Sequence, residues 1–179
     1  MEKRLAKVNI SAAGGTAASG AKTCKITLPT SWLTQMGIHE GDRSVELSFD
    51  GDTITIKRVL SVEEFIEKKK AAGHNLLCFK FYNFDELCTI IYADFTDQTL
   101  IHRDHTTNLV KTAFGRKETP SWSDLMTFLE ERCIPRSRVG VREYLETIGV
   151  FEYDPIEIIR KTKGRMAEDH QWIEIEVVK

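Results

Sequence analysis

The chain has 179 residues, and 25 Lys and Arg against 27 Asp and Glu leave a formal charge of -2. A 41% apolar composition with 11 glycines and 4 prolines suits one medium folded domain or two small ones and excludes disordered and fibrous classes. No apolar stretch approaches the roughly 18 to 20 residues of a membrane span, so no membrane partner is expected.

The opening residues include Glu2, Lys3, Arg4 and Lys7. They leave no apolar core for a secretory leader, which makes a cytoplasmic location the expectation. Up to Lys25 the cations Lys3, Arg4, Lys7, Lys22 and Lys25 face the single acid Glu2, whereas Glu40, Asp42, Glu46, Asp50 and Asp52 follow against Arg43 alone. The first part of the chain is therefore polarised, and local charge rather than the total sets contacts with a polyanion. Residues 11–21 are small and Gly-rich and read as a flexible loop. Lys25 to Leu28, Val45 to Phe49 and Ile54 to Lys57 alternate polar and apolar side chains and read as half-buried strands, the last two joined through Asp50-Gly51. Between them Pro29 opens a short helix with Trp32, Leu33 and Met36 on one face and Gly37 as its stop.

Ser61 and Glu64 form a capping-box pattern for a helix to about Ala72, ended by Gly73, and residues 59–73 read as a connecting helix. Beyond it, Leu76 to Tyr82 and Leu87 to Phe95 predict a hairpin, and Thr99 to Arg103 a third strand. Helices are predicted from Ser121 or Ser123 to about Arg132, from Ser137 to Ile148 and from Asp154 to Lys163, and a final strand over residues 171–178. The Asp154 helix is the clearest, with Pro155 in its first position and Gly164 after it. The fold class is thus α+β, with residues 1–58 as one domain and 74–179 as a small α+β domain.

The segment from Thr23 to Arg58 is too small for a lone core. Two copies that interleave their hairpins would bury both alternating faces, hide the strand edges and set basic residues about a two-fold axis, as symmetric double-stranded DNA sites require. Lys25-Ile26-Thr27-Leu28-Pro29, Trp32-Leu33, Met36-Gly37-Ile38, Gly41-Asp42, Val45-Glu46-Leu47 and Ile54-Thr55-Ile56-Lys57 resemble the AbrB, SpoVT and MazE family of swapped-hairpin DNA-binding domains. The resemblance covers about a third of the chain. It implies a homodimeric or larger swapped-hairpin barrel that contacts DNA through Lys22, Thr23 and Lys25, with Lys7, Lys3 and Arg4 from the preceding arm. Where family members commonly have Gly followed by Gln or Arg, this chain has Cys24-Lys25. Lys neutralises a phosphate but lacks the two-pronged guanine contact of Arg, so charge-led backbone binding is expected, with DNA shape carrying selectivity.

Other motifs read as coincidental. Gly15 to Thr23 has one residue too many for a P-loop and leads into a strand rather than a helix. His102-Arg103-Asp104 resembles a kinase catalytic loop, but Leu109 stands where its Asn belongs. His102 and His105 lack further ligands for a metal site. Cys24, Cys78, Cys88 and Cys133 have no Cys-x-x-Cys spacing and are expected as reduced, mostly buried thiols. Arg132, Arg136, Arg138, Arg142, Arg160, Lys161, Lys163 and Arg165 are interspersed with acids, as on an ion-paired helix surface, although Arg136 and Arg138 at a helix start at Ser137 would suit a phosphate. Trp122, Phe128, Leu129, Tyr144, Leu145, Ile148, Phe151 and Tyr153 read as core. Residues 128–173 are similar to a module of uncharacterised proteins from Gram-positive bacteria and their mobile elements, and more loosely to parts of HipA-type proteins. The expected function is a dimeric DNA-binding regulator that needs no cofactor, metal or catalysis. The alternative is an antitoxin or inhibitor whose residues 74–179 bind a protein partner.

Overall fold

A computed structural model describes residues 2–14, 18 and 20–179. Their secondary structure is mixed α+β, with strands in three small sheets, none of them closed into a barrel. The chain divides into two compact units, Met1–Val59 and Leu60–Lys179. No helix among the described residues is long and apolar enough to cross a membrane.

In the first unit, β1 (Asn9–Ala12) pairs antiparallel with β2 (Lys22–Lys25). This corrects the expected strand from Lys25 to Leu28, which keeps only Lys25, and the expected loop over residues 11–21, which loses Ser11 and Ala12 to β1. A strand exists where it finds a partner, and Asn9–Ala12 supplies one that side-chain alternation alone does not announce. Gly15, Thr16, Ala17 and Ser19 of the P-loop-like run lie outside the described residues. Pro29, at φ -61°, caps α1 (Thr30–Gln35), and Gly37 at φ +73° turns the chain away. Trp32, Leu33 and Met36 are half-buried on it as expected. β3 (Val45–Phe49) and β4 (Ile54–Arg58) form an antiparallel hairpin. In its turn the Asp50 carboxylate accepts the amides of Asp52 at 3.0 Å and Thr53 at 2.8 Å, while Gly51 takes φ +106°.

The second unit is built on an antiparallel sheet of β5 (Leu76–Asn83), β6 (Glu86–Asp94), β7 (Thr99–Asp104) and β8 (Gln171–Val177), in the order β7-β6-β5-β8. Its core joins Leu77, Phe79 and Phe81 of β5, Ile91 of β6 and Ile173 of β8 to the helices α3 (Trp122–Glu131), α4 (Val141–Thr147) and α5 (Pro155–Thr162). Phe81 meets Phe128 edge-on at 5.1 Å, a favourable arrangement of ring quadrupoles. Helix α2 (Val62–Ala71) packs on this sheet and buries Val62, Phe65 and Lys69. The helix starts are written locally. Ser61 and Glu64 close a capping box, Ser121 and Asp124 another, and Asp154 accepts the Ile156 amide with Pro155 in the first turn.

Helix α4 starts at Val141 rather than at Ser137. Residues 135–141 run through successive turns, Arg138 N–H to Pro135 O and Val141 N–H to Arg138 O, and Gly140 takes φ +81°, which a helix cannot contain. Arg136 and Arg138 therefore do not flank a helix start. Phe151, expected in the core, is 96% exposed.

Candidate nucleic-acid interface

The β1–β2 ladder places Asn9 opposite Lys25 and Ser11 opposite Thr23, with Ile10 opposite Cys24 and Ala12 opposite Lys22. Directly opposed residues share a face, and faces alternate along a strand. Asn9, Ser11, Thr23 and Lys25 thus form one hydrogen-bonding face with one cation, while Lys22 lies on the other face beside Ile10 and Cys24. The candidate residues Thr23 and Lys25 are brought together, and Lys22 is separated from them by the pleat. Lys3, Arg4 and Lys7 lie in an exposed segment without regular structure before β1. None of Lys3, Arg4, Lys7, Lys22 and Lys25 forms an ion pair with a described residue, and the neighbouring acid Glu2 instead accepts a 2.8 Å hydrogen bond from Trp32 Nε1. At the acidic end of the unit, Asp42 is held by Arg58 at 2.6 and 3.0 Å, and Glu46 stands opposite Lys57.

Asn9 and Ser11 were missed by sequence reasoning. The signal that finds them is the cross-strand register, which places their side chains beside Thr23 and Lys25. An Asn amide on such a face matches the donor and acceptor pair of adenine in the major groove, a contact that Lys25 cannot make.

The second hairpin of this unit is sharply two-sided. Glu46, Ser48, Thr55 and Lys57 point one way, and Val45, Leu47, Phe49, Ile54 and Ile56 the other, with Arg58 on that side opposite Val45. The apolar side is bare: Leu47 is 65%, Phe49 69% and Ile54 67% exposed. Ile10 and Ile26 are exposed as well. No described residue from 2 to 59 is buried. Covering a side chain such as Leu47 or Phe49 is worth about 1.5–3 kcal/mol, and two-stranded hairpins are marginal without such cover.

The second unit holds a close charge cluster. Lys69 Nζ lies 2.7 Å from the fully buried Asp94 carboxylate and also pairs with Asp97, and His74 Nδ1 is 2.7 Å from Asp94. Burial works to raise the Asp94 pKa, but hydrogen bonds from Lys69, His74 and the Thr96 amide outweigh it and hold the carboxyl well below its usual range. His74, Asp94 and Asp97 are close enough to share a metal. The Lys69 ammonium already stands at both carboxylates, so the group is complete as a buried ion pair.

His102 is half-buried edge-on to Phe114 at 5.2 Å, and burial pushes its pKa down. Arg103 pairs with Glu63 at 3.3 Å, and Asp104 accepts from Thr89 Oγ1 at 2.7 Å, so the His-Arg-Asp triplet is divided among three separate contacts. Arg132 is buried and grips Asp169 at 2.6 and 3.0 Å together with the carbonyls of Gly164 and Gln171. Arg136, Arg142 and Arg160 pair with Glu130, Glu146 and Glu157, so with Arg132 half of that basic group of eight is ion-paired. Cys78, Cys88 and Cys133 are buried thiols, and burial pushes Cys133 up to about 12. Cys24 is exposed, so three of the four thiols are buried, in line with mostly buried thiols.

No family model matches this chain, and neither a curated protein nor a solved structure does.

Proposed function

We propose that this chain is a DNA-binding transcriptional regulator, an AbrB-like repressor, that works as a dimer through its first unit and represses by occupying its site. The observation that carries the reading is the first unit's lack of any buried described residue, together with a bare apolar hairpin face. A second copy of the same hairpins supplies matching apolar faces and covers the open edges of both ladders. The swapped-hairpin barrel is the closed form of that arrangement. Pairing also doubles the cations Lys3, Arg4, Lys7, Lys22 and Lys25, none of which pairs with an acid among the described residues.

On this reading phosphate contacts come from the lysines and the arm, and the Asn9, Ser11, Thr23 and Lys25 face lies against base edges or sugar. Affinity then falls steeply with salt, with a log-log slope of about -0.9 per neutralised phosphate. The test is a mobility shift of random duplex at rising salt. Lys25→Ala lowers both affinity and slope, by about two phosphates' worth because the dimer carries the residue twice. Binding and slope that are unchanged in that variant remove Lys25 from the interface.

The second reading is an antitoxin or inhibitor whose residues 74–179 hold a protein partner. It is favoured by Phe151 and Val139, which stand 96% and 98% exposed on the second unit. A dimer that ignores duplex at low salt leaves this reading standing and removes the first.

A further inference from the structure

The second unit contains a cavity of about 370 Å³ between the 132–140 segment and the end of α5 with the loop that follows it. Its wall is apolar where Ile134, Tyr144, Ile158 and Met166 line it, and Arg138 and Arg165 also stand in the lining. These arginines differ from their neighbours. Arg132, Arg136, Arg142 and Arg160 each hold a carboxylate, whereas neither Arg138 nor Arg165 pairs with an acid among the described residues. Arg165 instead lies over the Trp172 ring at 5.3 Å, which positions the guanidinium without neutralising it. Arg132 also lines the cavity, but its charge is met by Asp169, so the single lining acid, Glu168, faces two uncompensated cations.

We infer that this cavity binds a small organic anion, a carboxylate carried on an apolar body. An apolar wall with a few convergent polar groups is the usual make-up of a ligand site, and a planar guanidinium fits a carboxylate through two parallel hydrogen bonds. A volume of about 370 Å³ lies at the small end of the range of ligand pockets, about 300–1,000 Å³. Cys133, also in the lining, is a protonated thiol at neutral pH and contributes bulk rather than a nucleophile. The inference is independent of whether the first unit binds DNA.

The test uses the full chain labelled at its methionine methyl groups, with naphthalene-2-carboxylate as the anion and naphthalene-2-carboxamide as its neutral counterpart of equal size. The Met166 signal, assigned by its loss in Met166→Leu, shifts saturably with the carboxylate, while those of Met36 in the first unit and Met126 in α3 stay in place. The carboxamide needs at least a tenfold higher concentration for the same shift. In an R138Q/R165Q variant the preference for the anion disappears, and an unmoved Met126 signal shows that the core is intact; should that variant lose its fold, Arg138→Gln alone reduces the preference. A Met166 signal that does not respond, equal affinity for the two probes, or a preference that survives both substitutions in the folded protein overturns the proposal.

Discussion

Residues 1–59 and 60–179 are similar in their wealth of strands but opposite in what those strands cover. In the second unit, Phe79, Ile91 and Ile173 of the sheet and Leu125, Leu129 and Ile158 of the helices are sealed from water. In the first, the alternation of Val45, Leu47 and Phe49 is as regular, yet Leu47 and Phe49 stand 65% and 69% exposed. Strand alternation therefore specifies a face, and only a second layer turns that face into a core. The second unit carries its layer in α3, α4 and α5, with α2 also packed on the sheet. The first has only the six-residue α1, which is too short to do so.

The contrast is broken most forcefully by core truncation. Phe79→Ala costs about 3–5 kcal/mol in chemical denaturation, and that cost does not vary with protein concentration, because its neighbours are in its own chain. Lys69→Met is next. It strands the fully buried Asp94 with His74 as its one remaining side-chain partner and costs about 3 kcal/mol at neutral pH. The sign with pH follows from the depressed Asp94 carboxyl. Its stabilisation is complete above the unfolded carboxylate range and is lost as pH falls toward the folded value, so wild type weakens on acidification. The variant shows a shallower loss over the same acid range.

Phe49→Ser removes about 2 kcal/mol of apolar cover per chain, and its cost appears as dimer dissociation on dilution, leaving the second unit folded. That outcome sharpens the contrast with Phe79→Ala. Asn9→Ala touches no apolar cover; it lowers discrimination between duplex sequences by about 1–3 kcal/mol in competition assays and leaves the salt slope unchanged. Equal discrimination by variant and wild type would take Asn9 out of base contact.

How much of this was legible depended on sequence distance. The α5 start at Asp154-Pro155, both capping boxes and the β5–β6 hairpin are local statements, and their residues announce them. The β1–β2 ladder was misplaced because Asn9–Ala12 is short and weakly patterned, and its register is settled by a partner across the Gly-rich segment. Ser137 resembled a helix cap, but Gly140 and the Pro135 turn delay the helix. The Lys69, His74 and Asp94 cluster was invisible for a different reason, since it joins α2 to the end of β6 across 20 or more positions of chain. At the candidate interface the lysines were legible as charge. Which of them share a face was not, because the pleat is fixed only once the pairing is known.

The central claim is that the first unit acquires a core only by pairing with a second copy. Light scattering of the full chain in dilute solution, with hydrogen exchange read on the same sample, tests it most directly. The account predicts a particle of twice the 20.4 kDa chain mass, with the Leu47 and Ile56 amides protected and losing protection on dilution. A 20.4 kDa particle whose β3 and β4 amides stay protected at every concentration would contradict it.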